Sequence, residues 1–192
     1  MCFVKDIELD AVPKKAAVRI AADSKYWLWI NGEMVIFEGG VKRGPSRNGT
    51  YSDTVNIAPH LKDGRNRIAA LVWYFGDDGF SHLSSKMGGL FFEIGIDGLN
   101  SDDTWKAKRH PAYVQAPEVD EPSNFRLAEG NVYFDAAKDM GEWYATDYDI
   151  SDRGNADYGG LLHQGRNTGI RISRLDERRN DTVHNPRRSY RA

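Results

Sequence analysis

The segment at residues 26–37, Tyr-Trp-Leu-Trp-Ile-Asn-Gly-Glu-Met-Val-Ile-Phe, most constrains what this chain can fold into. Its central Asn31-Gly32 pair supplies the two residues of positive φ that a type I′ turn requires. The pair lies between two runs of β-branched and aromatic residues. The segment therefore predicts a β-hairpin with a two-residue loop.

A two-residue loop determines which hairpin residues share a face, because directly opposed residues point the same way. The expected inner face consists of Tyr26, Leu28, Ile30, Val35 and Phe37. The expected outer face consists of Trp27, Trp29, Met34 and Ile36. Both faces are apolar, so we expect the outer one to be covered by loops of this chain, by a second copy or by another domain.

The rest of the chain alternates short apolar segments with turn residues. Strands are predicted near residues 16–22, 51–57, 67–75, 88–96 and 131–136. Residues 67–75 lack a polar alternation, which indicates a central strand buried on both faces. Roughly seven to nine short strands with only brief helical turns are typical of an all-β, antiparallel β-sandwich.

The chain of 192 residues has the length of one domain. We assign residues 1–172 to the β-sandwich. From residue 173 onward the apolar content falls and arginines accumulate, so residues 173–192 are predicted to be a polar arm or linker, or else a site for an anionic partner. We expect this arm to mark the truncation point of a longer protein.

Charge and hydropathy exclude several classes of partner. A formal charge of −2 offers no excess of positive charge for nucleic acid. No apolar run approaches the roughly 20 residues of a membrane helix, and residue 1 is not followed by the features of a signal peptide. The single cysteine, Cys2, cannot form an internal disulfide. We expect a protein that is not exported or a fragment without its natural start, and favour the fragment.

No catalytic residues emerge from the sequence. Glycoside hydrolysis needs two facing carboxyl groups, and among 28 acidic residues some pair satisfies any spacing rule. The histidines show neither zinc-ligand spacing nor local support for a Ser-His-Asp triad. Asp147, Asp149 and Asp152 alternate like the start of a calcium loop but lack its glycine and glutamate, so no cofactor is expected and calcium is the weak candidate.

Aromatic residues give the candidate binding site. Sugars are bound by flat aromatic faces together with planar polar groups that hydrogen-bond hydroxyls. The candidate carbohydrate-binding residues are Arg47, Tyr51, Trp73, Trp27 and Trp29. For each tryptophan, burial in a core or beneath a neighbouring segment is the competing interpretation.

Several motifs in order resemble the N-terminal β-sandwich region of bacterial α-L-rhamnosidases and related multidomain glycoside hydrolases. They are Ala17-Val-Arg-Ile-Ala-Ala-Asp, Tyr26-x-Leu-x-Ile-Asn-Gly-Glu-x-Val, Gly44-Pro-Ser-Arg, Tyr51, Ile57-Ala-Pro-His-Leu-Lys-Asp-Gly-Arg-Asn, Ala69-Ala-Leu-Val-Trp and Ser101-Asp-Asp-Thr-Trp-Lys. The resemblance covers roughly residues 15–110 and fades beyond residue 136, where Tyr148-Asp-Ile-Ser-Asp-Arg stands in place of the Phe-Asp-Asp-Ser-x-Trp of relatives.

The resemblance implies a jelly-roll sandwich, galactose-binding-domain-like, beside a separate catalytic α/α barrel. It implies an accessory domain that packs on that barrel or shapes its substrate cleft, with a periplasmic or extracellular location. The expected partner is the catalytic domain of the same polypeptide, with carbohydrate and a homodimer through an apolar face as further partners. The alternative is a free-standing carbohydrate-binding module, and a complete small enzyme is least favoured.

Overall fold

The computed structural model describes residues 1–40, 51–76, 78–79, 82–84, 88–96, 99–115, 132–155, 157–158 and 171–172. These residues form the strands β1 (Cys2–Leu9), β2 (Ala17–Asp23), β3 (Lys25–Ile30), β4 (Glu33–Gly40), β5 (Asp53–Asn56), β6 (Gly64–Trp73), β7 (Gly89–Ile94), β8 (Lys106–Lys108), β9 (Tyr113–Gln115), β10 (Val132–Phe134), β11 (Gly154–Asn155), β12 (Asp157–Tyr158) and β13 (Arg171–Ile172). Two 3₁₀ turns lie at Ala58–His60 and Ala136–Lys138.

The strands form two main sheets and a ribbon. The six-stranded sheet has the order β11-β8-β1-β6-β3-β4, and the five-stranded sheet has the order β12-β13-β7-β2-β5. Strands β9 and β10 pair as a separate two-stranded ribbon. All pairings are antiparallel except those of β13 with β12 and β7. The predicted all-β antiparallel sandwich is confirmed.

The main core lies between the two large sheets. Its largest fully buried members are Phe3, Ile20, Tyr26, Leu28, Ile30, Ile57, Ile68, Leu90, Phe92, Leu99 and Trp105. The predicted central strand is β6, which pairs with both β1 and β3. Its side chains alternate between the two faces of the sheet, and both faces are packed.

The Asn31-Gly32 turn forms as predicted, with φ of 51° and 87°. Beyond it the hairpin departs from the two-residue-loop register. Ile30 pairs with Glu33 and Trp29 with Met34, but one register shift then brings Ile36 opposite Leu28, and a second shift follows between Leu28 and Tyr26. Further along the same strands, Gly39 lies opposite Tyr26.

The shifted register corrects two of the predicted face assignments. Ile36 packs against the main core, and Phe37 is 71% exposed and contacts Trp27 on the outer face. The cause is the Tyr26 ring, because a Cβ on Gly39 would lie 2.2 Å from its Cζ. A glycine must face this ring, and Glu38 takes a positive φ of 53° to bring it there.

The outer face of the six-stranded sheet carries a second core. It consists of Cys2, Val4, Trp29, Ala69 and Trp143, with Trp27, Leu71, Met140, Tyr144, Tyr148 and Ile150 packed against it. We call residues 140–150 the cover segment, because they supply the side chains that close this face. The expectation that the outer hairpin face is covered is met for Trp29 by a segment of this same chain.

Arg67 holds the cover segment to the sheet. Its side chain is fully buried, with Nε 2.7 Å from Asp6 Oδ1 and Nη2 2.8 Å from Asp6 Oδ2. Its Nη1 donates to the carbonyl oxygens of Ala145, at 2.5 Å, and Tyr148, at 2.7 Å. The guanidinium therefore satisfies a carboxylate from β1 and two cover-segment carbonyls at once.

The contacts with two arginines lower the pKa of Asp6. Burial acts to raise its pKa, but hydrogen bonds from Arg67 and Arg65 outweigh burial, and the pKa is lowered from its ordinary value.

Of the helices among the described residues, none is long and apolar enough to cross a membrane.

Two arginines on the same carboxylate give a matched test. Arg67→Met removes two of the hydrogen bonds to Asp6 and leaves two buried carbonyls without the donor that Arg67 supplies, so we expect a loss of about 3 kcal/mol in the free energy of unfolding. Arg65→Met removes an exposed contact to the same Asp6 and should cost less than about 1 kcal/mol. Urea unfolding measures both, and equal losses would contradict the role of Arg67.

The Arg67→Met variant should also differ from the wild type in how its stability depends on pH. A lowered Asp6 pKa contributes stability that is complete above about pH 4, the ordinary aspartate value, and is lost as the pH falls through the lower folded value. Arg67→Met should therefore lose less stability than the wild type on acidification over this window.

Candidate functional site

Six strand ends meet at one end of the sandwich. Lys25 pairs with both Gly40 and Trp73, so the start of β3 adjoins the ends of β4 and β6. Asp23 pairs with Gly89, where β2 ends and β7 begins, and β5 starts nearby at Asp53. We call this region the Asp23 end.

Asp23 accepts hydrogen bonds from three surrounding side chains. Oδ1 lies 2.9 Å from His82 Nε2 and accepts from Ser24 Oγ at 2.9 Å, while Oδ2 accepts from Ser84 Oγ at 3.3 Å. Ser24, His82 and Ser84 are all buried. Because a carboxylate only accepts, His82 Nε2 carries a proton, and His82 Nδ1 is buried without a hydrogen-bond partner among the described residues.

Aromatic rings line the same end. Phe75 meets His82 edge-on with ring centroids 5.6 Å apart, and Trp73 meets Phe75 edge-on at 5.1 Å. Lys25 Nζ lies 5.7 Å from the Trp73 centroid and 5.8 Å from that of Phe75. The Asp23 end therefore combines aromatic surface, a fixed carboxylate and a cation, the groups that bind hydroxyl-rich ligands in proteins.

The second carboxylate at the Asp23 end belongs to Asp53. Asp53 Oδ2 accepts from the Tyr26 hydroxyl at 2.6 Å and from the Gly40 amide at 3.2 Å. Burial raises the pKa of Tyr26, so its hydroxyl keeps its proton and acts as a donor. Asp53 thereby connects β3, β4 and β5 beside the exposed Tyr51.

The structure places the predicted carbohydrate-binding residues in two regions. Trp73 is at the Asp23 end, and Tyr51 lies two residues before Asp53. Trp27 and Trp29 are on the outer sheet face. Arg47 lies outside the described residues.

The two outer-face tryptophans differ in their exposure. Trp29 is only 7% exposed because Tyr144 stacks flat on it at 4.8 Å and Trp143 meets it edge-on at 5.7 Å. Trp27 is half-buried and contacts Phe37 edge-on at 6.3 Å. Of this pair, Trp27 is the one that retains surface for a partner.

Two of the three predicted calcium ligands, Asp149 and Asp152, have other contacts. Asp149 accepts from the Ser151 amide at 2.8 Å and from its hydroxyl at 2.9 Å, and Asp152 bonds Lys108. The Asp147 residue is exposed. Within the described ranges, no three His, Cys, Asp or Glu side chains come close enough together to hold a metal ion.

Sequence reasoning missed the network of Asp23 with Ser24, His82 and Ser84. Asp23 and Ser24 have the composition of a turn, and His82 lies 59 residues from Asp23 along the chain. No local spacing connects the two, since His82 lies between β6 and β7 and meets Asp23, at the end of β2, only in the folded chain.

Comparison with known proteins gives matches among solved structures. No protein-family model matches the chain. No curated protein matches it either. The crystal structure of the GH78 family rhamnosidase of Bacillus sp. GL1 matches over 80% of this chain and 16% of that chain, with 27% identity and a TM-score of 0.62. The chain resembles part of a GH78 rhamnosidase.

Two further α-L-rhamnosidases share the fold of this rhamnosidase-like chain. The enzyme from Dictyoglumus thermophilum is 20% identical with a TM-score of 0.57, and the enzyme from Aspergillus terreus is 18% identical with a TM-score of 0.56. Each match covers 80% of this chain. The chain spans only 16%, 17% and 18% of the three rhamnosidases, and the resemblance inferred from its motifs is confirmed.

The contribution of the Asp23 network to folding stability can be tested directly. Asp23→Ala removes the acceptor of the buried His82 donor, which alone should cost about 1 to 3 kcal/mol in the free energy of unfolding. The control, Asp63→Ala, removes an exposed carboxylate that accepts from the Val12 amide and should change the free energy of unfolding by less than about 0.5 kcal/mol. Urea unfolding compares the stabilities of the two variants. An Asp23→Ala variant as stable as the wild type would show that the network is not formed in solution.

Proposed function

We propose that this chain is a non-catalytic accessory β-sandwich domain of an α-L-rhamnosidase-like glycoside hydrolase. The observation that carries the proposal is the unequal coverage of the 27% identical match, which includes 80% of this chain but only 16% of the rhamnosidase. In this proposal, the catalytic machinery belongs to a separate domain of the same polypeptide.

The carboxyl pKa shifts that are resolved identify no candidate for a protonated catalytic acid among the described residues. A glycosidase needs one carboxyl group kept protonated near neutral pH, with a raised pKa. The carboxyl pKa shifts resolved among the described residues, at Asp6, Asp135 and Asp149, are all downward. Ion pairs or hydrogen bonds hold each of these groups in its charged form.

Two exposed apolar surfaces offer sites for a neighbouring domain. The first, which we call the edge surface, consists of Trp27, Met34 and Phe37 next to the edge strand β4. The second is the β9–β10 ribbon, which exposes Tyr113, Val114, Val132, Tyr133 and Phe134. A two-stranded ribbon has little stability of its own, and apolar patches of this kind mark interaction surfaces.

We propose that the edge surface and the ribbon pack against the catalytic domain. Phe37 and Tyr133 are the most exposed large apolar side chains of the two surfaces, at 71% and 63%. Burial of both by one neighbouring domain would explain why each surface is apolar. A second copy of this chain is the competing occupant.

Footprinting tests this proposal in the complete gene product. Hydroxyl-radical labelling of Phe37 and Tyr133 should fall in the complete polypeptide relative to residues 1–192 alone, while labelling of the exposed Val12 stays constant. Residues 1–192 alone should release nothing from aryl α-L-rhamnosides. The proposal is overturned by a gene that encodes no further domain, by unchanged labelling, or by turnover that a single Asp or Glu substitution abolishes.

A second candidate function is that of a free-standing carbohydrate-binding module. The Asp23 end favours it, because Trp73 and Phe75 lie beside the fixed Asp23 carboxylate and the Lys25 amine. This function requires saturable changes in the Trp73 indole N–H resonance when L-rhamnose or galactose is titrated into the chain. Trp73→Ala should abolish binding and Trp27→Ala should preserve it, whereas no resonance change up to high sugar concentration excludes this candidate.

A further inference from the structure

Arg153 is a buried cation whose guanidinium lacks an oxygen or nitrogen acceptor among the described residues. It lies just before β11, is 4% exposed, and its Nε, Nη1 and Nη2 atoms are all buried. The guanidinium carbon is 5.2 Å from the Trp143 ring centroid and 5.8 Å from that of Tyr148. Aromatic faces stabilise a cation in part, but they accept none of its five N–H groups in the way an anion does.

The contrast with Arg67 shows what Arg153 lacks. Arg67 is equally enclosed, yet it bonds both oxygens of Asp6 and two backbone carbonyls. Burying a guanidinium is strongly unfavourable unless an opposite charge and hydrogen-bond acceptors accompany it. Arg153 has the same need for a negative charge, and its described protein surroundings do not meet it.

The acidic side chains near Arg153 contact other groups. Asp152, the preceding residue, bonds Lys108, and Asp149 is bound by the amide and hydroxyl of Ser151. Asp139 lies 3.5 Å from His110 Nε2. The described carboxylates of this region therefore leave Arg153 without a counter-ion.

The Cys2 thiol, which lies beside Arg153, does not supply the missing charge. Burial raises the pKa of Cys2 to about 11, although the N-terminal amine, the charge of Arg153, a hydrogen bond from Arg153 to the sulfur, and Lys108 act in the opposite direction. The thiol is therefore neutral at pH 7. Its sulfur is only a weak hydrogen-bond acceptor for Arg153 and carries no charge to balance the guanidinium.

We propose that Arg153 binds a compact monovalent anion, of the size of chloride, beside Cys2 beneath the cover segment. A monatomic anion accepts hydrogen bonds from several directions at once, which suits a guanidinium that meets no oxygen or nitrogen acceptor among the described residues. It also has a single charge to balance a single cation. Formate shares this chemistry in carboxylate form, and a direct comparison separates the two.

Folding stability reports such binding because the unfolded chain has no site. Urea unfolding is measured while sodium gluconate is replaced by sodium chloride or sodium formate at constant ionic strength. Above the dissociation constant, a tenfold increase in the bound anion should raise the folding equilibrium constant about tenfold. A response to chloride alone identifies a monatomic site, a response to formate alone a carboxylate site, and both outcomes support a compact anion.

Two arginine variants test whether the anion dependence of stability arises at Arg153. Arg153→Met should abolish the anion dependence and should be more stable than the wild type in gluconate, since it removes an unpaired buried charge. Arg65→Met, which changes an exposed arginine, should keep the full dependence. An equal response in Arg153→Met and the wild type, or no response in the wild type, overturns the proposal.

Crystallography of the wild-type protein tests the site without any variant. Crystals grown in sodium bromide should give an anomalous difference peak within hydrogen-bonding distance of the Arg153 guanidinium. Bromide replaces chloride at such sites and can be identified by its absorption edge. Data without a peak there, with Arg153 well ordered, would overturn a chloride-sized site even if Arg153→Met failed to fold.

Discussion

The structure depends on covering the outer face of its six-stranded sheet. That sheet packs the main core on one face, and its other face carries Val4, Trp29 and Ala69, which also avoid water. A sandwich of two sheets would leave this second face exposed. The cover segment at residues 140–150 closes it with Trp143 and its neighbours, so the chain is built in three layers rather than two.

Arg67 determines where the third layer lies. Its guanidinium is on β6, the central strand, and it hydrogen-bonds Asp6 on β1 together with two carbonyls of the cover segment. Carbonyl groups in an irregular segment must find donors when they are buried, and one arginine supplies them here. The same segment places Trp143 and Tyr148 against Arg153, which leads to the buried charge from which we infer an anion site.

The cover segment also separates the surfaces available for function. It removes Trp29 from contact with any ligand and leaves Trp27 and Phe37 at the uncovered edge. The polar and aromatic groups of the Asp23 end lie where six strands terminate, and the β9–β10 ribbon offers a third surface. The edge surface, the ribbon and the Asp23 end are therefore three separate surfaces.

Much of the fold could be predicted from local sequence patterns. Asn31-Gly32 specifies its turn by φ preference alone, and the inward positions of Tyr26, Leu28 and Ile30 follow from strand alternation. The order of short motifs sufficed to identify the resemblance to rhamnosidases. These features depend on residues that are close in sequence.

The features that could not be predicted depend on distant contacts. The register shift that exposes Phe37 arises because Gly39 must lie against the Tyr26 ring. The bond between Asp6 and Arg67 joins residues 61 apart, and that between Asp23 and His82 joins residues 59 apart. An aspartate in a turn and an arginine in an apolar strand are ambiguous until the sheet order brings their partners to them.

A double-mutant cycle between Trp29 and Tyr144 tests most directly whether the cover segment forms this third layer. The two rings stack at 4.8 Å, one on β3 and one on the cover segment. Urea unfolding of the wild type, Trp29→Ala, Tyr144→Ala and the double variant gives the coupling free energy between them. The three-layer account predicts a coupling of about 0.5 to 1.5 kcal/mol. Strictly additive losses would mean that the cover segment does not pack on the sheet and would contradict the account.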